Sequence, residues 1–225
     1  MKLVYPHYAV ELELTESFPA VLVVENPEMF QRLLGDFWNQ LEGGEGDWIL
    51  SHQGKNVLIS KAAVGIYNPF MLDCNDKRII NKVYAELTDI AISNYPVEMA
   101  ELNEKIVNII DGFLQNVPYH LESQVDLDIG GLLKLYGIKF EMNQESLLER
   151  IMDYIRAMRE VCHVGVFVFV NLKQYLSTVE IGHLYEFSAY EKISLLLIEG
   201  SYKKSNFLEK IWIYDQDLCM IKIEN

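Results

Sequence analysis

Basic residues are scarce in this sequence. Lys and Arg number 19 against 33 Asp and Glu, for a formal charge of −14 and a pI near 4.7. The summed field repels polyanions at long range, so any contact with nucleic acid has to be local. Cysteine is equally sparse. Cys74, Cys162 and Cys219 lie far apart with no CxxC pair, which excludes a zinc ribbon and a disulfide framework and leaves reduced thiols. The five histidines, His7, His52, His120, His163 and His183, show neither HxH nor HExxH spacing, and there is no GxSxG elbow, so no transition-metal site and no catalytic triad is expected. His163, just ahead of an apolar run, reads as structural. Apolar runs such as Val164 to Val170 are too short to span a bilayer, and the opening MKLVYPHYAVELEL lacks the apolar core and cleavage site of a signal peptide. A cytoplasmic protein with no membrane partner is the expectation.

The most telling absence is glycine at one junction. In AVLVVENPEMFQRLLGDFW, residues 20 to 38, an apolar strand runs through Glu25-Asn26-Pro27 straight into an amphipathic helix, where nucleotide-binding α/β proteins place a glycine-rich phosphate loop. Asn26 supplies a cap and Pro27 the first helical position instead. The nearest approach to a phosphate loop, Gly43-Gly44-Glu45-Gly46 followed by Gly54-Lys55-Asn56, has the wrong intervals and no hydroxyl residue after the lysine. Those glycines read as turns and Lys55 as a hairpin tip. The later run Val164 to Val170 ends in Asn171-Leu172-Lys173, again without glycine.

What is present is a globular composition. With 225 residues and 50% hydrophobic content the chain can bury a sizeable core. Val10 to Leu14 alternates like a half-buried strand, Ala20 to Val24 is continuous and β-branched, and Trp48 to Leu50 with Asn56 to Ser60 flank a polar turn as a hairpin does. From about residue 75 to 160 the pattern turns helical, with one stripe at Ile79, Ile80, Val83, Leu87, Ile90 and Ala91 and another from Leu102 to Leu114. Pro96 and Pro118 mark breaks, and a third helix is read from Gln144 to Cys162. Val164 to Val170, then Val179 to Phe187, then Ile193 to Ile198 resume the α/β alternation, and Ile211 to Tyr214 and Leu218 to Ile223 close it. The predicted organisation is an α/β head built from residues 1–70 and 163–225, with an all-helical leg of 71–162 inserted between them.

Two groups of residues could carry chemistry. Glu122, Asp126 and Asp128 precede Gly130-Gly131 in a pattern that resembles the opening of a calcium loop, yet Gly130 and Gly137 stand where an EF-hand needs oxygen ligands. An acidic cap on the helix that follows is the simpler reading. The lysines are few but not evenly spread: Lys134 and Lys139 flank Gly137, Lys55 and Lys61 bracket the hairpin, and Lys203-Lys204 sits in a polar loop. Scattered lysines ordinarily make a solvated surface. Repeated around an axis, the same lysines would act on phosphates within a Debye length of about 8 Å.

At LLKLYGIKFE (132 to 141), followed by SLLERIMDYIRAMREV, VGVFVFVN and LLLIE, the order and wording resemble a known family. This is the ring-forming accessory protein of spacer acquisition in type II-A CRISPR systems, the Csn family of CRISPR-associated adaptation proteins. The resemblance implies a P-loop-ATPase-like head that lacks nucleotide motifs, with a helical leg. It implies a homotetrameric ring that takes double-stranded DNA ends through a lysine-lined hole without sequence preference, binds calcium but no nucleotide, works with the adaptation integrase and the type II effector nuclease, and has no catalysis of its own. Carried onto this chain, the DNA contacts are Lys134 and Lys139, then Lys55, Lys61 and Lys204. The calcium-binding carboxylates are Glu122, Asp126, Asp128 and Glu141, although Gly130-Gly131 departs from the more acidic family pattern. Two other functions fit the residues: a degenerate metal-dependent ATPase or nuclease using Asp126 and Asp128, and an adaptor that binds proteins of the adaptation complex.

Overall fold

The structure, a computed structural model, describes residues 1–141 and 146–224. It divides into two compact units, Met1–Asp73 with Asn143–Asn225, and Cys74–Met142.

The first unit opens with β1 (Lys2–Tyr5) and β2 (Val10–Glu13), then β3 (Ala20–Val24) leads into α1 (Pro27–Leu41). β4 (Ile49–His52) and β5 (Lys55–Val57) form the hairpin, whose two-residue turn Gln53-Gly54 has positive φ at both positions. That is the backbone a tight antiparallel turn between twisted strands demands. A single helical turn, α2 (Ile59–Ala62), precedes β6 (Ala63–Ile66). Beyond the second unit follow α6 (Leu147–Cys162), β7 (Val166–Val170), α7 (Thr178–Tyr190), β8 (Ser194–Glu199), β9 (Lys210–Tyr214) and β10 (Met220–Glu224). The second unit supplies the intervening helices α3 (Lys77–Asn94), α4 (Pro96–Leu114) and α5 (Ile129–Leu135).

Two sheets result. One is four-stranded and antiparallel, in the order β2-β1-β4-β5; the other has six strands in the order β10-β9-β3-β8-β7-β6, all parallel except β10. β3, β7 and β8 are buried at every position, as strands covered on both faces must be. One face of the large sheet, with Leu22, Val168, Leu196 and Trp212, shares a core with Leu3, Tyr5, Leu12 and Leu50 of the small sheet and with Met29, Leu33 and Phe37 of α1. On the opposite face Val23, Phe167, Phe169, Leu195 and Leu197 are equally buried. α7 packs on β8 with α6 alongside it.

Periodicity grouped α6 with the helical segment, yet it lies in the first unit. Its Leu148, Ile151, Ile155, Ala157, Met158 and Cys162 are buried, and a stripe that wide needs a large apolar surface opposite it. Gln144, where that helix was read to begin, lies outside the described residues. The helix starts after Ser146, which caps it reciprocally with Glu149. Ser60, read as strand, is in α2, and β1 and β6 are strands that periodicity did not mark. At its other end α6 stops on His163 in the left-handed conformation, φ 58°, so this histidine is a helix terminator.

The second unit is entirely helical between residues 77 and 135 apart from its connections. Asp76 caps α3, and Pro96 opens α4 at its first position. α3 packs with α4 and with α5. Cys74 and Ile79 are buried, whereas α4 has no buried residue in 19.

Candidate nucleic-acid interface

In open parallel sheets ligands bind outside the carboxyl ends of the strands. Here those ends are engaged by the protein itself. After β3, Asn26 Oδ1 accepts hydrogen bonds from the amides of Glu28 and Met29 at 3.0 Å each, and Pro27 has no amide to offer. Asn26 Nδ2 also donates to the Gln216 carbonyl at 3.0 Å, while Gln216 Nε2 donates to the Glu25 carbonyl at 2.8 Å, so a loop from β9–β10 lies across the junction. The amides that would cradle a phosphate are thus already satisfied. After β7, Asn171 adopts a left-handed conformation, φ 54°, and its Oδ1 accepts from the Gly200 amide at 2.9 Å.

Behind this edge lies a buried polar cluster. Lys173 Nζ donates to both oxygens of Glu209 at 2.7 and 2.9 Å, and the Tyr185 hydroxyl donates to Glu209 Oε1 at 2.5 Å. Glu199 at the end of β8 accepts from the Lys173 amide at 3.0 Å. Burial raises the Glu199 carboxyl above the usual carboxylate range. Tyr185 is pushed well up by burial and by the adjacent Glu209 carboxylate. The cluster ties the segments that follow β7 and precede β9, together with the end of β8, to the crossover helix α7 through Tyr185.

The lysines sit elsewhere. Lys134 and Lys139 stand at the C-terminal tip of α5 in the second unit, both exposed. The sequence LLKLYGIK builds that tip through its glycine. Gly137 takes φ +64°, its amide donates to the Lys134 carbonyl at 3.0 Å and the Ile138 amide to the Leu133 carbonyl at 3.2 Å, a Schellman end to α5. The Tyr84 hydroxyl then holds the Ile138 carbonyl at 2.9 Å, and the Asn75 side chain pairs with both the amide and the carbonyl of Phe140 at 2.8 and 3.2 Å. The backbone is pinned while Lys134, Leu135, Tyr136 and Lys139 project outward.

Lys55, Lys61 and Lys204 occupy three separate elements of the first unit: the start of β5, the short α2 and the loop between β8 and β9. All three are exposed. Lys203, the neighbour of Lys204, donates to the Lys173 carbonyl at 2.8 Å, which fixes that loop to the buried cluster.

The carboxylates are exposed as well. Glu122 and Asp126 lie on the connection between α4 and α5, Glu141 follows the tip, and Asp128 is the N-cap of α5, its Oδ1 accepting from the Gly131 amide at 2.8 Å. A Cβ at residue 131 would stand 2.5 Å from Asp128 Oδ2, so Gly131 is what lets the carboxylate fold over the turn. Among the described residues no group of three or more His, Cys, Asp or Glu side chains is placed to hold a metal ion. A calcium site needs six or more converging oxygens, and the described carboxylates of one copy do not by themselves gather that many.

Sequence patterns missed the Lys173–Glu209–Tyr185–Glu199 cluster, because its members lie on four separate stretches of the chain with no common spacing. They also missed Tyr136, which helical periodicity does not separate from a core residue.

Comparisons with known proteins place the chain. A family model described as CRISPR-associated protein (Cas_Csn2) matches residues 40–218. A relative from Enterococcus faecalis, the CRISPR-associated protein Csn2, is 24% identical over 141 residues, an alignment that takes in 60% of this chain and 62% of that protein's length. The crystal structure of Stu0660 of Streptococcus thermophilus superposes with a TM-score of 0.57 over 94% of this chain and 74% of that one; at 14% identity the likeness is one of fold. No helix among the described residues is long and apolar enough to cross a membrane. With the family model covering most of its length, from within α1 to the loop before β10, the chain belongs to the CRISPR-associated Csn2 family.

Proposed function

We propose that this protein binds the ends of double-stranded DNA without sequence preference, as a homotetrameric ring, and thereby supports new-spacer acquisition in type II-A CRISPR adaptation. It does so in the cytoplasm, without catalysis of its own, alongside the adaptation integrase and the type II effector nuclease. The observation that carries this reading is the tip of the second unit, where Lys134 and Lys139 stand exposed on a pinned backbone in a chain that is otherwise strongly acidic. Lysine is a point charge with rotatable donors, suited to phosphates of any sequence.

Assembly is what reconciles a charge of −14 with a polyanionic ligand. The outer surface repels DNA, and four copies of a two-lysine tip around one hole would confine attraction to that hole. α4 supports self-association: Val97, Ile109 and Phe113 are 64%, 57% and 66% exposed, and a helix this apolar is stable when a partner covers it. The parallel order β9-β3-β8-β7-β6, with β3 leading into α1, supports a P-loop-ATPase-like head that kept its scaffold. Asn26 in place of a phosphate loop supports a protein that uses no nucleotide. Calcium, as the family resemblance implies, would need oxygens from more than one copy beside Glu122, Asp126, Asp128 and Glu141.

Gel shifts test this directly. Linear duplex is expected to shift while covalently closed circles do not, and equal binding to both overturns threading. If each of four subunits neutralises two phosphates, log K falls against log salt with a slope of roughly −7. Lys134→Gln is expected to halve that slope, and the double variant with Lys139→Gln to bring it near zero. Hydrolysis of ATP or DNA by the pure protein would overturn the non-enzymatic reading.

A further inference from the structure

Lysines alone explain attraction to duplex DNA but give no reason to prefer its ends, since phosphates repeat along its whole length. The same tip carries two side chains that lysine-phosphate contact leaves unused. Leu135 is 81% and Tyr136 76% exposed, directly between Lys134 and Lys139. Their exposure is not a consequence of a loose loop, because α5 leads directly into them and Gly137, Tyr84 and Asn75 fix the backbone that follows. An anionic ligand would cover these groups and meet the flanking ammonium charges together.

Resting on the proposed DNA binding, we propose that Tyr136 is a stacking platform for an unpaired or terminal base, with Lys134 and Lys139 on the adjacent phosphates. A cation-flanked aromatic ring is the arrangement by which proteins hold single-stranded nucleic acid regardless of sequence, since every base offers a π-face. Inside a duplex those faces are already stacked on each other. At an end, and above all on an overhang, they are free. The tip therefore discriminates ends from interior, and overhangs from blunt ends, by a contact that only an unstacked base can make.

The test uses the full chain and two short duplexes of equal charge, one blunt and one with a 3′ overhang carrying 2-aminopurine. The overhang duplex is expected to bind on the order of tenfold more tightly, with quenching of the 2-aminopurine. Tyr136→Phe retains the preference and the quenching. Tyr136→Ser loses both, its affinity falling further for the overhang duplex than for the blunt one, while the salt slope, which the lysines set, stays unchanged. Equal affinity for the two duplexes, or quenching that survives Tyr136→Ser, overturns the inference and leaves duplex binding standing. Failure of both duplexes to bind overturns the proposed function and the inference together. A change in elution volume on Tyr136→Ser would assign the tip to contact between copies, and its sedimentation with anionic vesicles to a lipid surface; either result overturns stacking.

Discussion

The two units of this chain bury their apolar residues to opposite degrees. In the first, β3, β7 and β8 are buried at every position, and one core joins both sheets to α1. In the second, Cys74 and Ile79 are the buried hydrophobic residues among those described, although α3 and α4 both carry apolar residues at helical spacing. Amphipathic periodicity specifies a helix and the face it must cover, but not the partner that covers it. The first unit finds that partner within the chain. The second leaves Ile92, Val97, Ile109 and Phe113 open, and these are side chains that the proposed assembly would cover.

Paired substitutions break or sharpen this comparison. Phe167→Ala in β7, where the ring is wholly buried, is expected to lower stability by about 3–5 kcal/mol in urea unfolding. Phe113→Ala in α4, 66% exposed, is expected to leave subunit stability within about 0.5 kcal/mol and to reduce the assembled fraction on a sizing column. Equal losses from the two would abolish the distinction between the units.

A smaller effect probes how the first unit tolerates buried charge. Lys173→Met leaves Glu209, 2% exposed, without its cationic partner, and a loss of about 3 kcal/mol is expected. A neutral result would mean that Tyr185 and burial alone keep Glu209 in place.

The smallest effect is one of pH. Burial raises the folded-state value of Glu199 above the ordinary glutamate value of 4.5, so between those two values the folded form binds more protons than the unfolded one. Its contribution to stability is fully present below 4.5 and is lost as pH rises through the folded value. Glu199→Gln keeps an acceptor for the Lys173 amide and removes the titration. Its unfolding midpoint should therefore gain on the parent as pH rises, and parallel curves would show that Glu199 does not titrate between folded and unfolded states.

Much of the first unit is legible in the residues because each signal there is local. Asn26-Pro27 marks the start of α1, the run from Val166 to Val170 marks a strand covered on both faces, and Gln53-Gly54 closes a hairpin as its backbone requires. β1 and β6 escaped because KLVY and AVGI, unlike VELE in the equally short β2, show no alternation of polar and apolar residues. The assignment of α6 escaped because a stripe shows that a helix is covered, not by which unit. At the candidate interface Lys134 and Lys139 are visible as lysines around a glycine, and Asp128 as a cap. That Leu135 and Tyr136 point outward is not visible, since apolar residues at helical spacing read as core.

By itself, the chain's order of residues determined the α/β alternation, the caps, the loss of a phosphate loop and the family, all of which rest on short-range backbone chemistry or on succession along the sequence. Tertiary structure alone decided three things. It ordered the strands as β10-β9-β3-β8-β7-β6, it gathered Lys173, Tyr185, Glu199 and Glu209 into one buried cluster, and it set Tyr136 in water between two lysines. Each depends on which distant surfaces compete to leave solvent, and that competition is settled only when the whole chain packs.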